Sequence, residues 1–220
     1  MMVINPFMVA PAVPSNPYTK LLMHFDGADG GTVFTDSSQS ARSITRTGTV
    51  TTSNIQSKFG GTSLKNLNEG ALIIPNSSDF NLGLNDFTIE CWVYILSYNT
   101  FNTVLDATNS PSGAIWRFWA SYSGSSNKVD FYGVTSSVAV SLNTWTHIAV
   151  SRVSGSTKVY VNGVGGTAVT LGNIASNNSN IVIGKTDTFG SNMYIDELRV
   201  RVGEAVYTSN FTPPAAPFTS

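Results

Sequence analysis

The chain has 220 residues, of which 11% are charged, and its formal net charge at pH 7 is −1. Ordinary soluble domains carry about 25% charged residues, so Ser, Thr, Asn and Gly must wet this surface. A near-neutral chain with no basic stripe is a poor match for nucleic acid or an anionic membrane.

Residues 1–19 carry no charged side chain and four prolines. Ala10-Pro11-Ala12 has the look of a signal-peptidase site, but no basic region precedes it, and Asn5 and Pro6 interrupt the apolar run. The segment is also too short and proline-broken to span a membrane as a helix. It reads as an extended N-terminal arm, either a disordered start or a strap laid on a neighbouring subunit.

From Lys20 onward, short period-two runs alternate with turn chemistry. Leu21, Met23 and Phe25 alternate with Leu22, His24 and Asp26. A turn at Phe59-Gly60-Gly61 precedes a strand over Thr62–Leu67, and another strand is expected at Leu72–Ile74. Phe87, Ile89, Cys91, Val93 and Ile95 form one inward face, with Thr88, Glu90, Trp92 and Tyr94 opposite. Cys91 is the single cysteine, so no intrachain disulfide forms, and inside an apolar strand it serves as a small buried hydrophobe.

Further strands are expected at Thr103–Asp106, Ile115–Tyr122 and Lys128–Tyr132. A hairpin pairs Trp145–Val153 with Lys158–Val161 across Ser154-Gly155-Ser156. Asn162-Gly163 is a two-residue turn whose positions both accept positive φ. Ile181–Ile183 and Tyr194–Arg201 complete the strands. A short helical turn is expected within Gly203–Ser209, then an extended proline-rich tail. Many short strands with no sustained 3.6-residue period predict an all-β sandwich of two antiparallel sheets. Residues 20–217 form its one domain and residues 218–220 a C-terminal tail.

Four segments carry a resemblance: LLMHFDGADG at Leu21–Gly30, FTIECWVYI at Phe87–Ile95, WTHIAVSR at Trp145–Arg152, and YIDELRVRVGEAVYTSNFTPP at Tyr194–Pro214. Together with FGGTSL they resemble the laminin-G-like, concanavalin A-like lectin/glucanase jelly roll, in the form found in virion proteins of tailed bacteriophages. The resemblance implies a non-enzymatic virion surface protein, a capsid decoration or fibre-like component. It would be made in the host cytoplasm, contact other virion subunits through the arm, and assemble as a homo-oligomer, with a trimer preferred. The alternative is a carbohydrate-binding adhesin that attaches to host glycans.

The sequence bears on three site chemistries. Glucanases of this fold present paired carboxylates as an E-x-D-x-x-E-like motif, which is missing here. Strand alternation would put Asp196 and Glu197 on opposite faces, unable to flank one bond. The resemblance implies a calcium ion as cofactor: Asp26 and Asp196 would meet where the first and last strands lie side by side, unless main-chain amides satisfy Asp196 instead. For sugar binding the candidates are Trp116, Trp119, Tyr122 and Tyr132, whose rings either stack on a ligand or fill the core or a subunit interface. By alternation Trp116, Phe118 and Tyr122 share one face, and Arg117 and Trp119 the other. Trp92 and Trp145 are read as structural.

Overall fold

The computed structural model describes residues 16–68, 70–107, 116–175, 179–186 and 189–220. Most of the arm, residues 1–15, lies outside them. Two antiparallel sheets face each other, as the alternation predicts. One runs Val164–Gly165, Ser156–Val161, Thr146–Val153, Phe87–Ile95, Asn192–Val202, Ser63–Leu67, Thr51–Ser53; Thr19–Met23 also pairs with Asn192–Val202, and Val169–Thr170 with Ser156–Val161. The other runs Val134–Ala139, Lys128–Phe131, Arg117–Tyr122, Phe101–Asp106, Ile181–Ile183, Gly70–Ile74, Thr45–Gly48. Among the described residues no helix is long and apolar enough to cross a membrane.

The core lies between the sheets. Phe87, Ile89, Cys91, Val93 and Ile95 point into it from the central strand, and Phe118, Ala120, Val129 and Phe131 meet them from the other sheet. Phe87 and Phe131 touch with ring centroids 5.4 Å apart. Fully burying one such side chain contributes roughly 1.5–3 kcal/mol, so this double layer dominates the stability. Cys91 is sealed within it, and burial pushes its thiol well above the usual range.

Two turns behave as their residues require. Asn162 and Gly163 both adopt positive φ, 48° and 79°, and a Cβ at Gly163 would fall 1.8 Å from the Phe211 carbonyl oxygen. The preceding hairpin is tighter than expected. Val153 pairs directly with Ser156, so only Ser154 and Gly155 turn, both with positive φ. Ser156 thus joins the strand, as the right-handed twist of a two-residue hairpin favours.

Three expectations need correction. Residues 203–209 form bends, not a helical turn; among the described residues the short helices are 3₁₀ turns at Ser78–Phe80 and Ser123–Ser125. The domain begins before Lys20, because Thr19 is already paired with Arg201 and the Asn16 amide reaches Glu204 at 3.3 Å. Residues 218–220, expected as a C-terminal tail, pack on the domain: Phe218 is buried against Leu22 and Trp92, and the Thr219 carbonyl accepts from Arg199 at 2.9 Å.

These last contacts explain why the central strand is apolar on one face and charged on the other. Residues 203–220 fold back as a cap over the outer face of the nine-stranded sheet. Tyr207 and Phe211 stack 3.5 Å apart, and His147 meets Tyr207, Phe211 and Phe218 edge-on. Beneath them Glu90 is fully buried, with both carboxylate oxygens engaged.

Candidate functional site

The first and last strands are neighbours, with Met23 opposite Leu198. Here the chain departs from alternation. Ile195 and Leu198 both enter the core, and the ladder to the central strand slips between Asp196 and Arg199. Glu197 takes φ 51° in this β-bulge. With two residues standing between core positions instead of one, Asp196 and Glu197 lie on the same outer side. The expected opposite-face arrangement is overturned by this extra residue.

The pair is nonetheless closed to chemistry. Asp196 is fully buried: its Oδ2 accepts from the amides of Lys58 and Phe59 at 2.8 and 3.1 Å, and its Oδ1 from Glu197 N–H at 3.0 Å. Glu197 accepts from His24 Nδ1 at 2.8 Å and from the Phe218 amide at 2.7 Å. Burial pushes the Asp196 carboxyl up to about 7, against the pull of the Phe59 and Lys58 amides. His24 is raised, through its bond to Glu197 and against its own burial.

Asp26 does approach this group. It is exposed, and its Oδ1 lies where a Cβ on Gly60 would stand, 1.7 Å from that point. Glycine at position 60, with φ 61°, is what admits it. As placed, however, Asp26 and Asp196 do not fit calcium, which needs six to eight oxygen ligands. Main-chain amides already occupy both oxygens of Asp196. Among the described residues no group of three or more His, Cys, Asp or Glu side chains is arranged to hold a metal ion.

The aromatic candidates divide. Trp116 is core, 2% exposed, against Phe131. Trp119 and Tyr122 stand together on the outer face of the seven-stranded sheet, ring centroids 5.0 Å apart. Alternation had set them apart, but the ladder slips between Trp119 and Tyr122: three steps on one strand match two on the next, from Asp130 to Lys128. The bulge turns Tyr122 to the side of Trp119. Tyr132 sits at the hairpin tip beside Gly133, 44% exposed, because Phe131 and Val134 pair directly.

Two rings that alternation did not single out complete the group. Phe101, directly opposite Tyr122, stacks on it at 5.1 Å and 10°, and meets Trp119 at 4.7 Å. Phe189, 46% exposed, packs edge-on to Phe101 at 5.3 Å. Arg117 lies 5.9 Å from the Trp119 ring and donates through Nε to Asp106 at 3.0 Å; Thr186 also bonds Asp106. Beside this row opens a cleft of about 330 Å³ lined by Trp116, Arg117, Trp119, Asp130, Tyr132 and Gly133. Three of the four residues proposed for ligand binding therefore line one cleft, with the fourth stacked at its edge.

Residues 66–202 match the family model described as the concanavalin A-like lectin/glucanases superfamily. The chain belongs to that superfamily. No curated protein sequence matches it at a significant level. Among solved structures it is similar to domain 4 of AbnA, a GH43 extracellular arabinanase from Geobacillus stearothermophilus, in complex with arabinotriose: TM-score 0.60, 20% identity, 86% of this chain and 94% of that one. It is also similar to the binding domain of Paraclostridial Mosquitocidal Protein 1, with TM-score 0.62, 16% identity, and coverage of 86% and 50%. A third likeness is to botulinum neurotoxin type C, described by its dependence on two ganglioside molecules for cell entry, with TM-score 0.60, 16% identity, and coverage of 86% and 49%. The chain spans about half the length of these two toxin chains. At such identities the likeness is one of fold.

Proposed function

We propose that this superfamily member is a non-catalytic carbohydrate-binding protein displayed on a virion surface. The observation that carries the binding reading is the cluster of Phe101, Trp119 and Tyr122, packed ring against ring on the outer face of one sheet beside a cleft. Aromatic faces offer sugars a broad apolar surface without a desolvation cost for charge. The opposite outer face is occupied by the cap, so the two sheets divide the labour. One buries its outer polar face under residues 203–220; the other presents rings.

The absence of catalysis in this reading is supported by Asp196 and Glu197. Both are buried and tied to amides and His24, where a glycosidase needs two carboxylates facing one open cleft. Binding is also the theme of several relatives of this fold: one holds arabinotriose, and another depends on gangliosides. The virion placement is supported by the segments that resemble tailed-phage proteins. A trimer, if it forms, would present three rows at once and multiply a weak single-site affinity.

Trp119→Ala is expected to weaken binding of the preferred oligosaccharide by about tenfold, since the upper end of ring-stacking energies of about 0.5–1.5 kcal/mol corresponds to such a factor. Titration calorimetry against a neutral and acidic glycan panel checks it, with the melting temperature as the folding control. Retention of full affinity by the variant would reject the row as the binding surface. For the placement, antibody raised against the chain should decorate purified particles. Particles that carry none of the protein would remove the virion half of the proposal.

A further inference from the structure

The cleft beside the aromatic row contains one group that the fold leaves underused. Asp130 lies opposite Trp119 in the ladder and is only 5% exposed. Its Oδ1 accepts from Gly133 N–H at 3.1 Å, which closes the hairpin turn. Among the described residues this is its single hydrogen bond, and no salt bridge reaches it. Burial pushes its carboxyl upward, with only the Gly133 amide pulling the other way. Its Oδ2 is not among the buried atoms left without a partner, so in the cleft it is open to solvent and free to accept from a ligand hydroxyl.

The cation that lines the same cleft, Arg117, does not fill that place, because its Nε is held by Asp106. Among the described lining residues the charges are those of Asp130 and Arg117, and the Arg117 guanidinium is already engaged by Asp106, so an incoming anion meets the like charge of Asp130. The aromatic walls of the cleft are two indoles and a phenol, Trp116, Trp119 and Tyr132. Such a cleft wants hydroxyl donors above an acceptor, beside a flat apolar wall, and it disfavours an incoming anion.

We propose that the cleft takes one neutral sugar residue, whose hydroxyl donates to the free Oδ2 of Asp130 while its ring face lies against Trp119, and that it discriminates against uronic and sialic acids. This rests on the carbohydrate-binding reading and adds the class of sugar. Hydrogen bonds to a charged group are the strong ones, so the contact is a determinant of specificity as well as affinity.

Asp130→Asn tests it. Asn keeps an oxygen for the Gly133 amide and turns a donor where the acceptor stood, so the hairpin survives while the recognition inverts. Calorimetry with neutral pentose and hexose oligosaccharides should show binding weakened about tenfold or more. The unmodified protein should bind sialylated or uronate-containing counterparts at least about tenfold more weakly than the neutral ones, a comparison that needs no variant to fold. If Asp130→Asn binds as well as wild type while Trp119→Ala does not, the aromatic row stands and the role of Asp130 is overturned. A preference of the wild type for acidic glycans also overturns it. Absence of binding to every glycan overturns both readings together.

Discussion

Replacing Arg199 with Leu should lower the unfolding free energy by about 3–5 kcal/mol, the cost of leaving a buried charge without its partner. Glu90 is fully buried at the centre of the nine-stranded sheet. Arg199 serves its Oε1 twice, from Nε at 2.9 Å and Nη2 at 2.5 Å, while His147 Nε2 and Tyr207 hydroxyl serve Oε2 at 3.1 and 2.6 Å. Burial alone would raise the Glu90 carboxyl; the bonds from His147 and the charge of Arg199 outweigh it and hold the group below its usual value. Without the guanidinium, only His147 and Tyr207 remain. The same substitution frees the cap, because Arg199 also holds the Thr219 carbonyl and lies 4.5 Å from the centre of the Phe218 ring.

Urea denaturation would measure the loss, and a second variant separates its causes. Changing Glu90 and Arg199 together to Leu removes the stranded charge, so much of the stability should return although the cap contacts do not. A single variant within about 1 kcal/mol of wild type would mean that water reaches Glu90 through the cap, and that the network is not sealed.

Much of this architecture is legible in the sequence. The face of Phe87–Ile95 that enters the core follows from strict alternation, and so does the identity of the polar face opposite. The Asn162-Gly163 turn follows from the two residues that tolerate positive φ. What covers the polar face does not follow. Glu90 reads as a solvent-facing acid until Tyr207, Phe211 and Phe218, more than a hundred residues later, are folded onto it. Alternation also fails wherever a bulge adds a residue. It misplaced Glu197 relative to Asp196, and Tyr122 relative to Trp119, because nothing in the local sequence marks where the ladder slips. Phe101 joined the aromatic row through strand register, which is a property of the partner strand. Asp130 needed the same register to be set opposite Trp119.

The same bulge that gathers Asp196 and Glu197 should make stability fall as pH rises from about 4.5 to 7.5. Asp196 is pushed up to about 7 by burial, against the amides of Phe59 and Lys58, with the charge of Glu197 adding to the rise. His24 is raised by its bond to Glu197, against burial. In both, the folded chain holds the proton more tightly than the unfolded chain. Their stabilisation is complete below the unfolded values and is lost as pH climbs through the folded ones. For Asp196, raised from an ordinary 3.8 to about 7, the loss is on the order of 4 kcal/mol. Glu90 works in the other direction: its lowered value favours folding above the ordinary carboxylate range and withdraws that support in stronger acid. The two opposed slopes put the stability maximum at the acid end of this window, at or below about pH 4.5. Urea midpoints at pH 5 and pH 8 decide the matter, and Asp196→Asn, which cannot titrate, should flatten the curve between them. Equal midpoints for the wild-type chain would mean that three main-chain N–H groups are enough to keep Asp196 ionised in spite of its burial.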